Sequence, residues 1–130
     1  MLSIDILSRK PIYEQIIDGM EREVVSGIMK EGEQIPSIRE TSAKLNVNPN
    51  TVQRAYAELT RRGVIASAPG RGTFIVLGAL ENIRSNYRDS LSELSAFIET
   101  LKEAGVPAFE IENTVTEALY NKSANKEEKS

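Results

Sequence analysis

Asn48 to Gly63 reads "NPNTVQRAYAELTRRG", and this stretch decides the fold. Asn48 is an N-cap residue type, and Pro49 suits a first helical position, where a missing N–H leaves nothing unsatisfied. Val52, Ala55, Tyr56 and Leu59 recur at i, i+3, i+4 and i+7, the buried face of an amphipathic helix. Gly63 ends it. Asn50, Thr51, Gln53, Arg54 and Ala57 fall on or beside the opposite face. A helix that places small polar groups and an arginine around its first two turns is built to touch something polar.

Upstream, "SIRETSAKLN" predicts a short helix of about two turns. Ser37 is its N-cap and Glu40, three residues on, completes a capping box. Asn46 can take the positive φ that closes it. Before that, "PIYEQIIDGMEREVVSG" carries Ile12, Ile16, Met20 and Val24 at intervals of four, with Tyr13 and Ile17 beside them, and Gly27 at the end. "MLSIDIL" alternates and predicts a short strand or an extended arm. Gln34–Ile35 reads as a short extended stretch before Pro36. Downstream, Val64–Ser67 and Thr73–Val76 favour strands around the turn "PGRG", which predicts a hairpin.

Helix, short helix, turn, helix and hairpin is the order of a winged helix-turn-helix, whose last helix enters the major groove. On that reading the polar N-terminal half of the third helix reaches base edges. The helix dipole there favours phosphate. Arg71, between Gly70 and Gly72, sits at a wing tip where the backbone can approach DNA closely.

"IPSIRETSAKLNVNPNTVQRAYAELTRRGVIASAPGRGTFIV", with "PIYEQI" before it, resembles the DNA-binding domain of the GntR family of bacterial transcriptional regulators. The family pattern runs Pro-Ser-x-Arg-x-x-Ala, then Val-x-x-x-Thr-Val, then a Gly-x-Gly-Thr wing. "VNPNTVQRAY" and the small helical C-terminal part look like its YtrA-type subfamily. The resemblance implies DNA contacts from Arg39, Asn50, Thr51, Gln53, Arg71 and Gly72. Ser37, Asn48 and Arg54 complete the candidate set, Arg54 having a bridge to Glu58 as its alternative. The chain departs from the pattern in two places. Asn48-Pro49 stands where many members have Ser-Arg, which removes a groove-reading arginine, and Ser42 replaces the motif alanine. The resemblance also implies helices that dimerise, with little room for an effector pocket, and targets such as its own operon and a transporter.

From Ala79 the pattern changes. Leu80, Tyr87, Leu94 and Leu101 are spaced by seven, and Leu91 and Ile98 form a second such series. This heptad-like seam predicts either a face that packs the second hairpin helix or a subunit interface, with dimerisation the favoured reading. "GVP" breaks the helix, and "AFEIENTVTEALYNK" predicts a second one. The expected organisation is a winged helix over 1–78, a helical dimerisation hairpin over 79–121 and a disordered tail over 122–130. The fold class is mainly α with a small β-hairpin.

Composition bounds the chemistry. The 130 residues contain neither Cys nor His. Disulfides, thiolate metal sites and the usual general base near neutral pH are therefore absent. No catalytic, metal or cofactor site is expected. No long apolar run or leader stands out, so a cytoplasmic protein with no membrane partner is expected. Net charge is −3, yet residues 1–78 hold 10 Lys and Arg against 9 Asp and Glu, while residues 79–130 hold 6 against 10. Between Pro36 and Gly72 six basic residues face two acidic ones, a local patch of the kind that meets phosphate. The expected partners are an inverted-repeat DNA operator and a second copy of the chain. A small-molecule effector, if there is one, has no signature here. A protein-interaction adaptor on the same scaffold is the alternative, and a small enzyme a distant third.

Overall fold

The computed structural model describes residues 2–121. The tail expected over 122–130 lies outside them. The chain divides into two compact units, residues 1–88 and 89–130.

The first unit begins with an arm rather than a strand. Leu2 and Ile4 pack against the core. Gln15 clamps the arm by accepting from the Asp5 amide at 2.7 Å and donating to the carbonyls of Asp5 and Lys10 at 2.9 Å each. A Cβ at Gly19 would overlap the Leu2 side chain. Helix α1 (Ile12–Ser26) buries Ile16, Ile17, Met20 and Val24, the predicted stripe, and closes on Gly27 in the left-handed region.

Strand β1 (Gln34–Ile35) leads into α2 (Ile38–Leu45), whose Ser37–Glu40 capping box is formed in both directions. Asn46, at φ 55°, ends α2. Helix α3 (Pro49–Arg61) buries Val52, Ala55, Tyr56 and Leu59. The buried Tyr56 hydroxyl donates to the Pro36 carbonyl and shares a hydrogen bond with Thr41, both at 2.8 Å. One side chain thus seats α3 against both the start and the middle of α2. Burial pushes the Tyr56 phenol above its ordinary pKa.

The hairpin is β2 (Ile65–Ala68) and β3 (Gly72–Ile75), each one residue from its expected limits. It is not alone. Gln34 pairs with Phe74 and Ile35 with Thr73, so β1 completes a three-stranded antiparallel sheet in the order β1-β3-β2. Two strands would be marginal in water, and the third, with the helices beneath, supplies what they lack. Helix α4 (Ala79–Arg88) belongs to this unit, with Ala79 and Ile83 buried in its core.

The second unit holds α5 (Leu91–Glu103), α6 (Ala108–Thr116) and a wider helical turn over Glu117–Asn121. The heptad seam does not run through one helix, because Asp89–Ser90 interrupts it. There the Ser90 carbonyl accepts from the Glu93 and Leu94 amides, and the Ser92 hydroxyl donates to the Asp89 carbonyl. The Ser92 hydroxyl thereby takes a carbonyl that a continuous helix would pair with the Glu93 amide.

Candidate nucleic-acid interface

Three elements of the first unit carry the candidate residues: the start of α2, the N-terminal half of α3 and the tip of the β2–β3 wing. Ser37 is committed to its cap, accepting from the Glu40 amide at 3.1 Å. Arg39 follows it and is exposed. Asn48 caps α3 by accepting from the Asn50 amide at 2.8 Å, so its carbonyl oxygen is already occupied. Asn50 and Gln53 are exposed and Thr51 is half-buried, the gradient expected where the helix turns from its core face to solvent.

The wing tip has a defined shape. The Arg71 amide donates to the Ala68 carbonyl at 2.9 Å, closing the turn. Gln34 Nε2 donates to the Arg71 carbonyl at 3.1 Å, bracing the tip from β1. Gly72 lies at φ 114°, and a Cβ there would meet Gln34 Nε2. Glycine is therefore required at this position both by its backbone angle and by the brace. Gln34 is absent from the candidates read from sequence, since a two-residue strand has no period to reveal it.

Partnering separates the arginines. Arg61 donates through Nε and Nη2 to Glu58, and Arg62 donates to Glu58 and Glu21. Arg54 does not bridge to Glu58. Its guanidinium lies 3.7 Å from the centre of the Tyr13 ring, a cation–π contact. Among the described residues Arg39, Arg54 and Arg71 have no carboxylate partner. These three belong one to each element, and they are arginines available to a phosphate.

The Arg61 and Arg62 guanidiniums hold the Glu58 carboxyl down to about 2, against an ordinary 4.5. A carboxyl depressed in the fold contributes stability above its unfolded pKa and loses it as pH falls toward the folded value. The Tm of the unaltered chain should therefore fall between pH 4.5 and about 2, and less steeply in Glu58→Gln. An equal fall in both would assign it to Glu31 and Glu40, which backbone amides also hold low.

The residues of the heptad seam have different surroundings. Leu80 packs on the core of the first unit, and the Tyr87 hydroxyl bonds to Glu21. In the second unit Leu91, Leu94 and Phe97 are exposed, while Ile98 and Leu101 are half-buried. No described helix is long and apolar enough to cross a membrane.

Residues 12–75 match the family model described as bacterial regulatory proteins, gntR family. The chain is 51% identical over 75 residues to the HTH-type transcriptional repressor YtrA of Bacillus subtilis, the match covering 58% of each protein. It is 39% identical to the HTH-type transcriptional regulator YhcF of the same organism, covering 76% of this chain and 82% of that one. Among solved structures, a transcriptional antiterminator from Listeria monocytogenes superposes with a TM-score of 0.69 at 37% identity, covering 93% of this chain and 91% of the other. The AraR DNA-binding domain in complex with operator ORX1 superposes at 0.52 and 26% identity, over 58% of this chain and 93% of the other.

Proposed function

The chain belongs to the GntR family of bacterial regulatory proteins, and from that premise we propose that it is a repressor that binds an inverted-repeat operator as a homodimer. One observation carries the reading. Arg39, Arg54 and Arg71, on three elements of one winged helix, are cations without carboxylates, beside the uncommitted side chains of Asn50 and Gln53. Arginines supply phosphate contacts, which position a protein on DNA, and Asn and Gln on a groove helix suit base edges. The relative named as a repressor and the superposed operator complex favour the same reading. The exposed Leu91, Leu94 and Phe97 are the apolar surface for the second copy. A two-fold dimer then expects half-sites one helical turn (~34 Å) or a multiple apart. A protein working this way resides in the cytoplasm.

The test is a fluorescence-anisotropy titration on duplexes that the protein selects from a random pool, with sedimentation to report the oligomer. Affinity should fall by about three orders of magnitude between about 50 and about 200 mM salt, as when about six phosphates are neutralised. Binding to no duplex would overturn the reading, and capture of a protein partner with little salt dependence would favour an adaptor. Where the selected site overlaps a promoter, added protein should lower transcript yield. A rise would make it an activator.

A further inference from the structure

Arg62 caps the C-terminal end of recognition helix α3 and is the centre of a chain of polar contacts. Its Nε donates to Glu58 Oε2 at 2.8 Å and its Nη1 to Glu21 Oε1 at 3.2 Å. The same Glu21 oxygen accepts from the Tyr87 hydroxyl at 2.7 Å. Glu21 is 3% exposed, so these bonds act with little competition from water. Tyr87 lies in the last turn of α4, two residues before the interruption at Asp89–Ser90.

Other bonds join α4 to the same place. Glu31 accepts from the Gly78 amide at 2.8 Å and the Leu80 amide at 3.1 Å, capping the start of α4. Asn82 donates to the Gly63 carbonyl at 2.8 Å and Asn86 to the Arg62 carbonyl at 3.1 Å. Helix α4 is thereby fastened along its length, its middle and end to the C-terminal end of the recognition helix. The Glu21–Tyr87 bond holds its final turn, the last point before the chain leaves for the second unit.

We propose that Glu21 and Tyr87 are positioning residues that act through Arg62: they fix the direction in which α4 leaves the recognition helix, and so select the half-site spacing that a dimer accepts. This rests on the dimeric DNA-binding reading. A tether with a loose final turn would let two recognition helices adjust to several spacings, whereas a fastened one admits few. Tyr87→Phe removes only the hydroxyl of a half-exposed side chain and leaves Arg62 on both carboxylates. Glu21→Gln keeps the volume and removes the charge.

The experiment uses the full chain and the selected operator, with the gap between half-sites lengthened and shortened one base pair at a time, beside a duplex with one half-site. Both variants should bind the single half-site like the unaltered protein. Their preference for the best spacing over the next should fall about five-fold, the equivalent of one hydrogen bond. The double variant should fall little further, because both changes weaken one path. An unchanged spacing profile with intact half-site binding would overturn the proposal and leave the network a purely structural one. Loss of half-site binding by well-folded variants would also overturn it, placing the effect on the recognition helix itself. If Glu21→Gln does not fold, Tyr87→Phe decides alone. An unaltered chain that binds two half-sites no better than one would sink the dimeric reading, and this proposal with it.

Discussion

A chain carrying Arg39→Ala together with Arg71→Ala should bind its operator about a thousand-fold more weakly than the unaltered protein. The proposed dimer would lose four side chains, and about 1 kcal/mol for each is the low end for an arginine at DNA. The salt dependence should flatten as well, its slope falling by about one for each phosphate contact removed. The control is Arg61→Ala. Arg61 is just as cationic and its side chain is 72% exposed, yet two of its three nitrogens, Nε and Nη2, donate to Glu58. Its removal should leave affinity and slope nearly unchanged. If Arg61→Ala weakens binding as much as the double variant, the division between partnered and unpartnered arginines is wrong. Circular dichroism separates either result from unfolding, since neither Arg39 nor Arg71 contributes to the core.

Leu59→Ala should be the most damaging single change to the fold. Leu59 is fully buried, and its carbonyl accepts from the Val64 amide at 2.9 Å where α3 passes into the sheet. Truncation removes burial and leaves a cavity among Ile16, Val52 and their neighbours, at about 2–5 kcal/mol. For a unit of this size that lowers Tm by roughly 10–20 °C or more. DNA binding should disappear on warming well before it does in the unaltered chain. Leu94→Ala is the contrast. Leu94 is 47% exposed within one chain and has less to lose there. A loss of stability in Leu94→Ala that grows on dilution would locate the subunit contact, because dissociation is favoured at low protein concentration. A loss independent of concentration would confine Leu94 to packing within its own hairpin.

Much of the winged helix was legible because its signals are local. The Ser37–Glu40 capping box, the Asn48 cap before Pro49, Asn46 with positive φ and the Gly-flanked wing turn each involve residues within a few positions of one another. The buried faces of α1 and α3 obey the helical period, which is written in the spacing of Ile16, Met20 and Val24 and of Val52, Tyr56 and Leu59. Those features of the chain settle the element order, the core and the exposed set on α3. The same periodicity misled at Asp89–Ser90. A seven-residue spacing persists there, but the helix breaks where the Ser92 hydroxyl takes the Asp89 carbonyl, and Leu80 and Tyr87 pack within the first unit.

Beyond the local caps and the Glu58–Arg61 pair, tertiary structure decided which polar side chains are committed. Gln34 reaches Arg71 across 37 residues, Arg62 reaches Glu21 across 41, Glu31 reaches Leu80 across 49, and Tyr87 reaches Glu21 across 66. No periodicity encodes such pairs. A long side chain meets whatever the folded backbone brings within about 3 Å of it, and many charged residues are equivalent until then. The distinction between Arg39, Arg54 and Arg71, which have no carboxylate partner among the described residues, and Arg62, which reaches Glu21, is therefore a property of the packed structure. Apolar residues reveal their destination by spacing, because burial acts on whole faces. Charges such as Glu21 and Arg62 do not, because the partners they meet across the sequence are supplied only by the fold.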